Sequence, residues 1–280
     1  MRCAWQAYLN LLPHGLRANV DKYGKDGLLE LRMRSGMPIQ LITRSGSVWL
    51  NHIATKDDLS FCVNAGSRYS PWSVSSTQKG YITAPGGHRI GLCGTAVVQD
   101  GAMTSLSTVT SLCIRVARDF PGCAESAKTI DKSILIIGKP GSGKTTLLRD
   151  LIRYRSEDKT VAVVDEKGEI FPFSQETMCF SVGRQTDVLS GVSKCEGVEI
   201  LLRNMNPHTI AVDEITAQED CKTLLRAGWC GVDLFATVHA SSLQELKRSI
   251  IYRPIIESGL FETFLVMQPD KSWRMERMKL

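Results

Sequence analysis

The chain has 280 residues, 43% of them hydrophobic and 22% charged, which is apolar material for one large core or two ordinary ones and excludes a disordered or low-complexity protein. No window approaches the roughly 18 uninterrupted apolar residues of a transmembrane helix, and Gln6 and Asn10 interrupt the opening run too early for a signal-peptide core, so the cytoplasm is the expected compartment. The net charge of +5 sits at the front: residues 1–130 hold 14 Lys and Arg against 8 Asp and Glu, leaving 20 against 21 for the rest.

That imbalance suits an acidic partner, a membrane surface or nucleic acid, and equally a plain solvated face, so charge alone decides nothing. The nine cysteines are odd in number and irregularly spaced, without a CxxC pair. They read mostly as buried or incidental thiols rather than a disulfide framework.

In chain order, a helix is expected around Trp5–Leu12, then strands joined by tight turns through LLELRMRSGMPIQLITRSGSVWL, then a helix over 57–70. GYITAPGGHRIGLCGTAVVQDGAM and SLCIRVAR alternate glycines with short β-rich runs, the pattern of antiparallel hairpins. These elements predict a basic N-terminal α+β domain over 1–125. The polar segment 121–132, PGCAESAKTIDK, reads as the joint to a second domain over 126–280. There SILIIG, TVAVVD, TIAVDE and DLFATVHA alternate with helical stretches such as TTLLRDLIRYR and EDCKTLLRAGW. That rhythm predicts a mostly parallel α/β sheet.

Between SILIIG and its helix lies GKPGSGKTT, in which Gly138, Gly143, Lys144 and Thr145 satisfy G-x-x-x-x-G-K-[ST] in the strand-to-helix context the motif requires. Such a loop turns consecutive backbone N–H groups toward phosphates at a helix N-terminus. Gly138, Lys139, Pro140, Gly141, Ser142, Gly143, Lys144, Thr145 and Thr146 are the expected nucleotide-binding residues. Lys144 reaches the β/γ oxygens and Thr145 ligates Mg²⁺. ATP and Mg²⁺ are the expected cofactors, and an additional-strand, RecA-like P-loop ATPase core is the expected fold.

Two apolar runs end in Asp-Glu: VAVVDEKGE and TIAVDEI. In this class the strand following the P-loop helix is not the one beside the P-loop, whereas the next core strand is expected to be, so the second run is the metal-site strand. Asp213 then holds Mg²⁺ through its water shell, and Glu214 polarises the attacking water. Asp165, Glu166 and Glu169 form an accessory acidic box in which Glu166 and Glu169 orient water or metal, or else pair with Lys167 or Arg184. His239, the penultimate residue of DLFATVHA, is placed to sense the γ-phosphate.

The order of P-loop, acidic box, LLRNMNPHTIAVDEI and AGWCGVDLFATVHASS resembles the secretion-ATPase superfamily. With LLELRMRSGMPIQL, GYITAPGGHRIGLCGTAV, RQTDVLSGVSK and GLFETFLVM the chain resembles the stage III sporulation protein AA family over nearly its whole length. The box reads DEKGE where that family is closer to DERSE, and DEIT stands for DEIG, both leaving the carboxylates in place. The resemblance implies a hexameric cytoplasmic ATPase of the mother cell, without a membrane span, serving a channel complex between mother cell and forespore. It also implies arginines from the front domain completing the site at a subunit boundary, with Arg89 and Arg115 the candidates and Arg184 a third.

Two other functions remain open on the sequence. One is a nucleic-acid-binding ATPase, against which Trp49, Tyr69, Trp72 and Tyr81 are scattered rather than interleaved with basic residues. The other is a nucleotide-gated scaffold with little turnover.

Overall fold

The computed structural model describes residues 1–68, 80–174 and 177–278. Tyr69 and Trp72 lie outside them. The chain forms two compact units, one of Met1–Asp119 with Pro172–Phe180, the other of Phe120–Phe171 with Ser181–Leu280.

In the first unit, helices α1 (Trp5–Asn10) and α2 (His14–Asp21) and the helical turn α3 (Gly24–Gly27) lead into β1 (Leu28–Arg34), β2 (Pro38–Thr43) and β3 (Gly46–Ile53). Helix α4 (Lys56–Ser67) starts from a capping box in which Thr55 and Asp58 each satisfy the other's backbone N–H. β4 (Tyr81–Thr83), β5 (Arg89–Gln99) and β6 (Ala102–Arg115) complete a six-stranded sheet of order β3-β2-β1-β6-β5-β4, antiparallel at every pairing. Alternation decides its faces. Leu31, Met33, Ile39, Leu41, Ile90 and Ile114 are fully buried in the core, while Glu30, Arg32, Arg89 and Arg115 share the opposite face.

The second unit is the predicted α/β sheet. The strands are β7 (Ile134–Ile137), β8 (Val161–Asp165), β11 (Thr186–Ser190), β12 (Thr209–Ile215), β13 (Asp233–Val238), β14 (Thr263–Met267) and β15 (Trp273–Arg277), in the order β11-β8-β12-β13-β7-β14-β15. All pair in parallel except β15 on β14. Helices α5 (Lys144–Arg155), α6 (Lys194–Asn204) and α7 (Gln218–Trp229) carry the crossovers. Leu147, Leu148, Leu151 and Ile152 make the buried stripe of α5.

One expectation is overturned here. β13, not β12, lies beside β7, so the second acidic strand is not the neighbour of the P-loop strand. It is one strand removed, with β13 between. The strand after the P-loop helix, β8, is a further strand away. The outer strands β11 and β15, and β14 between β7 and β15, are additions to what the pattern suggested. Segment 121–132 is fastened to the second unit: Ala124 is fully buried and its N–H donates to Asp150 Oδ2 on α5 at 2.9 Å.

Between β8 and β11 the chain leaves the second unit. Short strands β9 (Phe173–Ser174) and β10 (Thr177–Met178) pair antiparallel, and residues 172–180 count with the first unit.

Candidate nucleotide site

β7 is buried over all four residues, and the chain leaves it through a loop that only glycines allow. A Cβ at Gly138 would stand 2.5 Å from Ser142 Oγ and 2.9 Å from Met267 Cβ. Gly141 and Gly143 have φ of +72° and +102°, where other residues are strained. Lys144, only 5% exposed, donates to Lys139 O and to His239 Nδ1, each at 3.0 Å. Burial lowers its pKa, opposed by the charges of Asp213 and Glu214. An ammonium only donates, so Nδ1 of His239 is an acceptor, and Nε2 carries the proton it gives to Glu214 Oε1 at 2.8 Å.

Consecutive residues of a regular strand point to opposite faces, so Asp213 and Glu214 need a reason to serve one site. The reason is a bulge. Val212 pairs with Ala236 and Ile215 with Val238, three steps on β12 against two on β13, and Glu214 takes up the extra residue at a left-handed φ of +54°. Thr237 on β13, wholly buried, pins it. Its hydroxyl accepts from Glu214 N at 2.8 Å and donates to Asp213 Oδ1. The other carboxylate oxygen of Asp213 accepts from Thr145 Oγ1 at 2.7 Å. Burial opposes the ionisation of Glu214, but Lys167 and His239 outweigh it and hold the carboxyl down to about 2. Lys167 is bonded directly to Glu214 Oε2.

The first Asp-Glu is built differently. Asp165, 2% exposed, accepts the backbone N–H groups of Glu169, Ile170 and Phe171 at 2.8, 3.0 and 2.8 Å, closing the loop after β8 on itself. Burial still pushes its pKa up to about 6, against those N–H groups. Glu166 is paired with Lys194 at 2.6 Å, a partner the sequence did not suggest, in place of Lys167 or Arg184. Arg149 on α5 donates to the carbonyls of Ile170 and, at 2.9 Å, Glu169. Asp165, Glu166, Lys167, Glu169, Lys194, Asp213 and Glu214 line one small cavity, so the accessory box and the metal-strand carboxylates share a wall.

The structure thus brings together Lys144, Thr145, Asp213, Glu214 and His239, with Glu166 and Glu169 alongside. Arg89 and Arg115 belong to the first unit. They face each other across β5 and β6, Arg89 stacked 3.8 Å over the Tyr81 ring and Arg115 bridged to Glu30 at 3.2 Å. Arg184 is exposed in the second unit. Sequence reading missed Thr237, Lys194 and Arg149.

Among the described residues no cluster of three or more His, Cys, Asp or Glu could cage a metal. The donor set fits Mg²⁺ of the nucleotide-borne kind, which keeps waters and phosphate oxygens as ligands and asks the protein for little more than the Thr145 hydroxyl, with Asp213 behind it. The glycine cradle and the buried Lys144 fit the phosphates.

A P-loop on β7, carboxylates on β12 and the buried strand β13 inserted between them define an additional-strand P-loop ATPase core. Of solved structures, the Legionella pneumophila ATPase DotB superposes with a TM-score of 0.54 and 19% identity over 93% of this chain and 78% of that one. The pilus retraction motor PilT with bound ADP gives 0.61 and 14% over 92% and 80%. Both show the fold alone. The chain belongs to the sporulation stage III, protein AA family, whose pattern matches residues 6–275. It is 34% identical over 276 residues to the Stage III sporulation protein AA of Bacillus subtilis (strain 168), covering 93% of this chain and 90% of that protein. No helix among the described residues is long and apolar enough to cross a membrane.

Proposed function

We propose that the protein hydrolyses ATP to ADP and phosphate and works as an oligomeric, hexameric assembly or secretion motor. The observation that carries this reading is the 2.7 Å contact between Thr145 and Asp213, with Glu214 turned to the same side by the bulge. Lys144 and the P-loop N–H groups bind the β- and γ-phosphates. Asp213 orients Thr145 and the ion's water shell, and Mg²⁺, when bound, supplies charge neutralisation across the β/γ oxygens. Glu214 takes a proton from the attacking water, and His239 reports the γ-phosphate by exchanging its present bonds for one to phosphate. Glu166 and Glu169 order water in the shared cavity. Arg89 and Arg115, offered by another copy, stabilise the transferring phosphoryl group. Family membership supports a role beside the membrane channel complex joining mother cell and forespore, from the mother-cell cytoplasm.

A second reading has its own observation. Lys144, His239, Glu214 and Lys167 form an unbroken chain of bonds that engages both the phosphate-binding lysine and the base, as suits a nucleotide-gated scaffold of low turnover. Steady-state hydrolysis against protein concentration, with light scattering alongside, separates the two. A motor gains activity as it assembles and loses it in Lys144→Ala, Arg89→Ala and Arg115→Ala. Flat activity that survives Lys144→Ala sinks the motor.

A further inference from the structure

Beside the P-loop the second unit holds a groove of about 510 Å³, lined by Gly138 to Ser142, by Ala240 and Ser241, and by the β14–β15 hairpin. That size suits a small organic ligand. Sheet order explains its place: β7 has β13 on one side and β14 on the other, so the loop has the acidic strand ends on one flank and the end of β14 on the other. A nucleotide with its terminal phosphate toward Asp213 and Glu214 carries its sugar and base the opposite way, over β14.

The lining suits a base. Met267 runs along the loop, 2.9 Å from where Gly138 would carry a Cβ and 3.5 Å from that point of Gly143, and with Pro269 it offers an apolar surface. The Ser142 hydroxyl beneath this wall is buried with no partner. Gln268 is the polar group held most firmly. Its N–H donates to Ser272 O at 2.8 Å and its carbonyl accepts from Lys271 N at 3.0 Å, while Asp270 caps Ser272 N at 2.9 Å. Its side-chain Nε2 donates to Val266 O at 3.0 Å, which fixes the amide and leaves Oε1 as an acceptor.

We propose that this groove binds the nucleobase and that Gln268 selects adenine, an inference that rests on the phosphate-site reading above. The exocyclic amine of adenine donates where guanine presents a carbonyl oxygen. An amide fixed with Oε1 outward accepts from the first and opposes the second, and its remaining Nε2 hydrogen suits a ring nitrogen of adenine. Guanine would require the amide to turn over and abandon Val266.

The test is displacement of a fluorescent ATP analogue by ATP, GTP and inorganic triphosphate, with Mg²⁺, from the wild type, Gln268→Ala, Gln268→Lys and Lys144→Ala. The wild type should prefer ATP by roughly 10-fold or more. Gln268→Ala should weaken ATP and erase the preference while triphosphate binding stays unchanged, and Gln268→Lys, which only donates, should tip the ratio toward GTP. A preference intact in both variants, with binding lost in Lys144→Ala, overturns the base site and leaves the phosphate site standing. Binding that survives Lys144→Ala overturns the phosphate-site reading itself.

Discussion

Two neighbouring parallel strands end in the same dipeptide, and the structure puts it to opposite uses. Val164 and Val212 are register partners, so Asp165-Glu166 and Asp213-Glu214 continue side by side. Asp165 turns inward and spends its oxygens on three backbone N–H groups, folding a loop. Asp213 spends its oxygens on the hydroxyls of Thr145 and Thr237. The difference originates in the backbone, since β12 bulges against β13 and the bulge swings Glu214 to the face that Asp213 already occupies.

The largest effect should come from removing the carboxylate on which the comparison turns. Glu214→Gln should lower hydrolysis about 10²- to 10⁴-fold with nucleotide binding retained, whereas Glu166→Gln should cost far less. Equal losses in single-turnover assays would mean that the two strand ends share the chemistry. Next comes the bulge itself. Thr237→Val keeps the shape but strands Glu214 N–H and an Asp213 oxygen, so stability should fall by about 1–3 kcal/mol and kcat should drop more than KM rises. A variant with normal kcat would show that the bulge holds without its pin. The smallest effect sharpens the electrostatics. Lys167 is the strongest of the groups holding Glu214 at about 2, so Lys167→Met should raise that pKa and move the acid limb of the kcat/KM profile to higher pH. The sign for stability agrees: a depressed carboxyl stabilises above its unfolded pKa and loses that contribution as pH falls toward 2. An unmoved acid limb would remove Glu214 from the role of base.

The phosphate loop was legible because its four defining residues are contiguous and its context is local. The acidic pair was legible as residues but not as geometry, because the bulge arises only when β12 meets β13, a matter of register that no local pattern shows. Thr237 reads as one more β-branched residue of DLFATV, and its hydroxyl acquires meaning only from the carboxylates across the ladder. Lys194, one step past the Ser193 cap of α6, reads as a surface lysine, yet it is 8% exposed. Arg89 and Arg115 are distant in sequence and adjacent in space, a matter of register that no local pattern encodes. β14 was passed over although TFLVM is an apolar run of ordinary strand length.

The excursion of residues 172–180 makes the chain pass between the two units three times, after Asp119, Phe171 and Phe180. A single cut near residue 120 therefore does not free either part. The returning strand pair is held on the first unit, where Pro172 and Cys179 lie 3.3 and 3.2 Å from the Cβ position of Gly87. A fragment that starts after the first crossing keeps those nine residues with nothing to cover them, and a fragment that stops there has lost them. Dissection of this protein into autonomous halves calls for excising the excursion from one piece and supplying it to the other.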